Sequence, residues 1–286
     1  MTTQRVGLLG NPLRRRHSQV MHDAAFDAAG IDARYVLLEL EPDKVEAAVA
    51  AARGPDWLGL GVTAPYKQVV AGLCDVVEAQ ATRIGAVNNV TKDADGRLVG
   101  FNSDAPGFRA GAELALGRAI AGLDIVVAGA GGAAHAVVFA CLDGGARRVV
   151  IGNRTADRAR ALAARFEGVG AGIAAGSALD DPAFSAALET ADLAVNATTV
   201  GMVDPGATLD VNALPPGATV FDLVYVPAET ALLRAARARG LRAANGSEML
   251  VAQAAIAFER WTGVAGMAGV MRKAVEPLLA DPAARA

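Results

Sequence analysis

The sequence is poor in the residues from which metal centres and disulfide frameworks are built. Its two cysteines, Cys74 and Cys141, fit no ligand spacing and suggest no disulfide framework, and three histidines, His17, His22 and His135, do not make a zinc site. No metal is expected. Basic surplus is also missing: 27 Lys and Arg against 30 Asp and Glu leave a net charge of -3, which argues against a general nucleic-acid binder. The arginines of "LRRRH" (13–17) are a local exception. No uninterrupted apolar run reaches the roughly 18 residues of a membrane span, and "MTTQRVGLLG" lacks the apolar stretch of a signal peptide. The expectation is a soluble protein of the reducing cytoplasm, a monomer or homodimer, whose partner is a small molecule rather than a nucleic acid or a membrane. Aromatics supply only 5% of the chain, so the core must be packed from Ala, Val and Leu.

What is present is an alternating rhythm. In 286 residues, 53% of them hydrophobic, there is room for one large domain or two ordinary ones. "RVGLLGNP" (5–12) reads as a buried strand ending in a turn, and "SQVMHDAAFDAAG" (18–30) as a helix with Ser18 as N-cap and Gly30 as its stop. "ARYVLLEL", "PDKVEAAVAAAR" and "WLGLGVT" continue as strand, helix and strand. This βαβαβ series predicts parallel strands with helical crossovers. Residues 81–104 change character, to short β-like pieces around an Asp-Gly turn, and 105–116 read as a helix able to connect two domains. A second series starts at "LDIVVAGAGGAAHAVVFACLDGGARRVVIGNRT" (123–155). "DLAVNATTVGM", "ATVFDLVYVP" and "LRAANG" are its later strands, "ETALLRAARARG" is a helix, and an amphipathic helix runs from Ser247.

The second series carries a glycine turn. Gly129, Gly131 and Ala134 form G-x-G-x-x-A directly between an apolar strand and a helix. The first glycine permits the tight turn, the second lets a diphosphate reach the backbone, and the small third residue lets helix and strand pack closely. The N–H groups at the helix start then hold the diphosphate. The next strand ends in Asn153, Arg154 and Thr155, with Arg158 one helical turn on. No acid stands there to bond a ribose 2′-hydroxyl, whereas a guanidinium suits a 2′-phosphate. The expected cofactor is NADP rather than NAD.

The first half holds three polar clusters where strands should end: "VTAPYK" (62–67), "GAVNNV" (85–90) and "GFNSDAPG" (100–107). Ligands of parallel α/β sheets bind beyond the carboxyl ends of strands, so Thr63, Lys67, Asn88 and Asp104 are predicted to converge on one cleft. An alcohol oxidation needs a group to take the hydroxyl proton. Lys67 is the candidate, at the end of an apparent buried strand, with Asp104 to hold and polarise it.

These pieces, with "GNP...S...HDAAF", "NATTVGM", "FDLVYVPAETALL" and "NGSEMLVAQAAIAFERWTG" in the same order, resemble the motif set of the shikimate dehydrogenase family over nearly the whole chain. The resemblance implies a two-domain α/β protein. Residues 1–104 with 247–286 would form the substrate-binding domain and 105–246 the NADP-binding Rossmann domain. It implies an NADP-dependent oxidoreductase of aromatic amino acid biosynthesis, interconverting shikimate and 3-dehydroshikimate. By motif match Lys67 and Asp104 are the catalytic pair. Ser18, Thr63, Asn88, Tyr225 and Gln253 contact substrate. Gly129, Ala130, Gly131, Gly132, Ala133, Asn153, Arg154, Thr155, Arg158, Thr198, Gly246 and Met249 line the cofactor, Met249 by packing.

The chain departs from the family at several positions. Arg16 stands in place of the first of two serines that grip the substrate carboxylate, and Gln19 in place of a proline. Gly61 replaces a frequent Asn, and His135 a frequent Arg. Arg16 can bind a carboxylate bidentately, and is counted with the substrate-binding residues; the other reading has all three arginines 14–16 in solvent. The departures leave open a paralogue acting on quinate, aminoshikimate or a related hydroxy acid. A non-catalytic ligand-binding protein with the same fold is the alternative of another class.

Overall fold

The structure, a computed structural model, describes residues 3–13, 16–202, 204 and 206–280; Arg14 and Arg15 lie outside them. The described residues form two compact units, one of residues up to Ser103 with Val251–Leu278, the other of Asp104–Leu250 with residues 279–280.

In the first unit β1 (Gln4–Gly10) leads into α1 (His17–Ala29), β2 (Ala33–Glu39), a 3-10 turn at Pro42–Lys44 running into α2 (Val45–Ala51), and β3 (Trp57–Val62). α1 stops at Gly30, whose φ of 67° is left-handed, a conformation that costs glycine little. Then come α3 (Lys67–Ala71), β4 (Val76–Val77), α4 (Ala79–Ile84), β5 (Asn89–Lys92) and β6 (Leu98–Phe101). The sheet order is β2-β1-β3-β5-β6-β4. β1 runs parallel to β2 and β3, as the βαβαβ rhythm requires, while β5 is antiparallel to both β3 and β6. The β5–β6 hairpin turns at Gly96, φ 77°, with Asp93 Oδ1 accepting from the N–H groups of Asp95 and Arg97.

Two apolar faces clamp this sheet. On one, Leu9, Leu60, Val62, Tyr66, Val70 and Val90 bury against Val45 and Val49 of α2. On the other, His22 stacks on Tyr35 at 4.5 Å, and Phe26 meets Phe258 at 5.1 Å. Trp261 donates its indole N–H to the Val90 carbonyl at 2.9 Å. It seats there because Gly59 has no side chain; a Cβ at that position would stand 2.5 Å from the indole. Thus four aromatics, Phe26, Tyr35, Phe258 and Trp261, meet where a late helix is fixed to an early sheet.

In the second unit α5 (Asp104–Leu116) precedes β7 (Asp124–Ala128), α6 (Gly132–Asp143), β8 (Arg148–Asn153), α7 (Ala156–Arg165), β9 (Ile173–Ala178) and α8 (Pro182–Leu188). β10 (Leu193–Asn196), β11 (Thr219–Asp222), α9 (Ala231–Ala238) and β12 (Arg242–Asn245) complete it, and α10 (Ser247–Thr262) and α11 (Ala268–Ala280) follow. All strands are parallel in the order β12-β11-β10-β7-β8-β9. This is the doubly wound order of dinucleotide-binding folds, with its switch point between β7 and β10. The N-terminal strand ends are fastened by Asp124, which accepts Arg147 Nε at 2.9 Å and Nη2 at 2.8 Å.

Several sequence expectations are corrected. The residue at the N-cap of α1 is Arg16, not Ser18; the cap lies two residues earlier, so Ser18 sits within the first turn. Within 81–104 the short β-like pieces are β5 and β6, and the first residues of that stretch close helix α4. The last strand residues of "DLAVNATTVGM" and "ATVFDLVYVP" are Asn196 and Asp222, because the polar side chains there bond the outgoing loops instead of continuing a ladder.

Candidate active site

The first unit assembles polar groups at one edge of its sheet. β1 and β3 end there, β6 ends there, and the antiparallel β5 begins there, since Asn89 pairs with both Gly61 and Phe101. "GAVNNV" therefore opens a strand rather than closing one, yet strand reversal still puts it beside the ends of its neighbours. Val62 N–H donates to the Asn88 carbonyl at 2.7 Å, Asn88 N–H to the Phe101 carbonyl at 3.1 Å, and Thr63 N–H to the Leu9 carbonyl at 2.8 Å.

Lys67 is not the last residue of a strand. β3 ends at Val62, a turn closes with Tyr66 N–H on the Thr63 carbonyl at 3.0 Å, and Lys67 is the first residue of α3, half-buried. Its carbonyl accepts Val87 N–H at 3.0 Å, tying the turn to the segment that bears Asn88. Tyr66, buried, donates its hydroxyl to the Leu40 carbonyl and anchors the turn from below.

Asn88 is committed to structure. Its Oδ1 accepts Asn89 Nδ2 and Ser103 N–H, both at 2.8 Å, and its Nδ2 donates to Ser103 Oγ at 3.2 Å. Asn89 Nδ2 adds a bond to the same hydroxyl at 2.8 Å, and Asn102 Nδ2 donates to the Ala86 carbonyl at 2.9 Å. This buried network holds the chain just before Asp104, which is itself buried and opens α5, where the helix dipole favours a carboxylate. Among the described residues the side chains of Ser18, Thr63 and Gln253, all half-buried, make no hydrogen bond. Arg16 is exposed and donates Nε to Gln19 Oε1 at 2.9 Å, while Gln19 Nε2 holds the Tyr35 carbonyl at 3.0 Å. The two terminal nitrogens of Arg16 have no partner among the described residues.

In the second unit the glycine turn has the geometry a diphosphate needs. Gly129 has φ 114°, and a Cβ there would stand 2.9 Å from the Ala197 carbonyl oxygen; only glycine fits without strain. At Gly131 and Gly132 an added Cβ would meet nothing within 4 Å, so these glycines leave open space instead of filling a tight one. Ala134 is wholly buried. The N-cap of α6 is Gly131 and carries no side-chain cap, so the first N–H groups of the helix remain available to an anion.

Asn153 ends β8 and donates Nδ2 to the Thr155 carbonyl at 3.0 Å. Thr155 is the N-cap of α7, and Arg154 and Arg158 are exposed. They are the two arginines, among the described residues, with neither an ion pair nor a side-chain hydrogen bond. Tyr225 is half-buried beyond β11, Met249 is buried, and Gly246 lies against β11's outgoing chain, where a Cβ would be 2.3 Å from the Leu223 carbonyl oxygen. That crowding explains the glycine without a ligand. His135 meets Phe166 edge-on, ring centres 6.3 Å apart.

Sequence reasoning missed a buried polar cluster at the ends of β10 and β11. Asp222, fully buried, accepts Asn196 Nδ2 at 2.8 Å, Val224 N–H at 3.0 Å and Thr230 Oγ1 at 2.7 Å. Asn196 Oδ1 accepts Thr198 Oγ1 at 2.7 Å and Thr208 Oγ1 at 3.0 Å. Burial pushes the Asp222 carboxyl up, against the opposing pull of those three donors. Its one sequence signal is an Asn and an Asp closing two short buried strands. Among the described residues no group of three or more His, Cys, Asp or Glu could hold a metal, and no helix is long and apolar enough to cross a membrane.

Family models match three stretches of the chain: shikimate dehydrogenase substrate binding domain at residues 8–90, shikimate / quinate 5-dehydrogenase at 112–201, and shikimate 5′-dehydrogenase C-terminal domain at 246–276. The shikimate dehydrogenase (NADP(+)) of Geobacter metallireducens is 40% identical over 275 residues, 96% of each chain. The structure superposes on the Thermus thermophilus shikimate 5-dehydrogenase in complex with NADP(H) and shikimate with a TM-score of 0.84, at 36% identity over 96% of this chain and 99% of that one. It also superposes on the quinate dehydrogenase of Corynebacterium glutamicum in complex with NAD, TM-score 0.88, 34% identical over 96% and 99%.

Proposed function

The chain belongs to the shikimate dehydrogenase family, and from that premise we propose that it oxidises the ring hydroxyl of shikimate reversibly to 3-dehydroshikimate with NADP. The observation that carries the reading is the edge of the first sheet, where Lys67 heads a helix in the turn that follows Thr63 and where, among the described residues, the hydroxyls of Ser18 and Thr63 make no hydrogen bond. Uncommitted hydroxyls at a strand-end edge suit a small polyhydroxy acid. The three-bond lock on Asn88 keeps that edge rigid and leaves one of its amide hydrogens for substrate.

The second unit fits the cofactor. Gly129–Ala133 and the start of α6 would hold the diphosphate, and Arg154, with Thr155 and Arg158, the 2′-phosphate. Asn153 shapes that turn, and Thr198, Tyr225, Gly246 and Met249 would line the nicotinamide end. When bound, NADP⁺ supplies the hydride acceptor. Lys67 takes the hydroxyl proton as general base, so it must present a neutral amine. Asp104 accepts a hydrogen bond that orients the reacting hydroxyl. Ser18, Thr63, Asn88 and Gln253 fix the ring, and Arg16 offers its terminal nitrogens to the carboxylate. Two free cysteines, Cys74 and Cys141, accord with a reducing cytoplasmic setting.

Arg16 admits a second reading on substrate, since its fork would suit quinate's carboxylate as well as shikimate's. The test is a cofactor-reduction assay with shikimate, quinate and aminoshikimate, each with NADP⁺ and NAD⁺. Turnover of shikimate with NADP⁺ is expected. Lys67→Ala should lower kcat by ~100-fold or more with cofactor affinity kept. An unchanged kcat would refute Lys67 as the base, and no turnover by the unaltered chain would favour a ligand-binding protein.

A further inference from the structure

The buried cluster around Asp222 has a position that packing alone does not explain. In a doubly wound sheet of this order the dinucleotide spans the switch point, one mononucleotide on each half. The glycine turn after β7 and the arginines after β8 serve the adenosine half. By symmetry of the fold, the segments leaving β10 and β11 face the nicotinamide half.

Those two segments are joined through one carboxylate. Asp222 Oδ1 accepts from Asn196 Nδ2 at 2.8 Å and Val224 N–H at 3.0 Å, and Oδ2 from Thr230 Oγ1 at 2.7 Å. Asn196 carries the hold into the β10 loop, donating Nδ2 to the Val200 carbonyl at 3.1 Å and accepting Thr198 N–H at 3.1 Å and Thr208 Oγ1 at 3.0 Å. Thr230 carries it into α9, whose N-cap it is, by accepting Leu233 N–H at 3.3 Å. Gly201, φ 95°, lets the β10 loop pass close, and a Cβ there would be 3.2 Å from Thr230 Cγ2. All the donors are neutral, and among the described residues no cation pairs with Asp222.

A buried carboxylate without a counter-ion is costly, and an apolar side chain of similar volume would serve packing better. What the carboxylate supplies is direction, for three donors on three separate segments. We infer that Asp222 is a positioning residue for the nicotinamide half of the cofactor, holding the β10 and β11 loops in the arrangement that receives the ring. The inference rests on the NADP reading above.

The experiment compares two ligands, NADP⁺ and 2′-phospho-ADP-ribose, which lacks only the nicotinamide. For Asp222→Ala, loss of charge-assisted hydrogen bonds should weaken NADP⁺ by ~10-fold or more, with 2′-phospho-ADP-ribose within ~2-fold, and kcat should fall by ~10- to 100-fold through misplacement. Asp222→Asn keeps an acceptor for Asn196 and Val224 and can donate to Thr230, so it should recover most of both losses. If the alanine variant does not fold, Thr230→Val, which removes the Oδ2 donor together with the acceptor for Leu233 N–H, should show the same split in smaller measure. Equal weakening of both ligands, or no change in either, overturns the inference while leaving the NADP reading intact. Failure of the unaltered chain to bind either ligand overturns both.

Discussion

Replacing Arg154 by alanine should reduce the preference for NADP over NAD without harming the fold. The guanidinium is exposed and has no ion pair or side-chain hydrogen bond among the described residues, so its removal breaks no contact in the protein. Folding stability should stay within about 0.5 kcal/mol, as for surface changes away from special features. Against a 2′-phosphate the same group would make charge-assisted hydrogen bonds, worth about 1.5–3 kcal/mol when well formed. Exposure and salt draw that toward the lower figure, so kcat/KM for NADP⁺ should fall by roughly 10-fold. The value for NAD⁺, which has no 2′-phosphate, should change by less than ~2-fold. The double variant with Arg158→Ala should extend the loss for NADP⁺ alone, and raising ionic strength should shrink the wild-type preference. The assay is steady-state kinetics with each cofactor at saturating shikimate, alongside thermal melts. A parallel loss with both cofactors would refute the reasoning, because it would show Arg154 acting through loop structure rather than on the phosphate. So would no loss with either.

The glycine turn should be equally exposed to test. Gly129→Ala puts a Cβ 2.9 Å from the Ala197 carbonyl oxygen at φ 114°, and should cost about 1–3 kcal/mol in urea unfolding and weaken NADP⁺; a variant of unchanged stability would deny the strain. His22 supplies a pH test. Burial lowers it to about 3 from an ordinary 6.5, so the folded state keeps the ring neutral. Its contribution is present above pH 6.5 and is lost as pH falls from there toward 3. Between pH 7 and 5 this lost share is about 2 kcal/mol, and His22→Phe, which retains a ring to stack on Tyr35, should flatten the decline of the urea midpoint. An unchanged slope would place the acid sensitivity elsewhere.

The sequence by itself determined the rhythm and the glycine turn. Apolar runs such as "DIVVA" and "RVVIG" can be satisfied only as buried strands, Gly30 can only end its helix cheaply, and Gly129 marks a turn no other residue makes without strain. These are local matters of backbone and burial, and they are written into neighbouring residues. β9 was less legible, because "IAAGSA" is an edge strand with one buried residue and no strong apolar run. Tertiary structure alone decided that β5 runs antiparallel, which brings Asn88, just before that strand, to the end of β3, and that Asn88 gives one of its two amide hydrogens to Ser103. It decided too that Lys67 heads a helix, and that Asp222, Asn196 and Thr230, up to 34 positions apart, form one clamp. Hydrogen bonds between distant segments depend on which strands lie side by side and in what register, and that choice is made by the energy of the whole packed sheet rather than by any short stretch of chain.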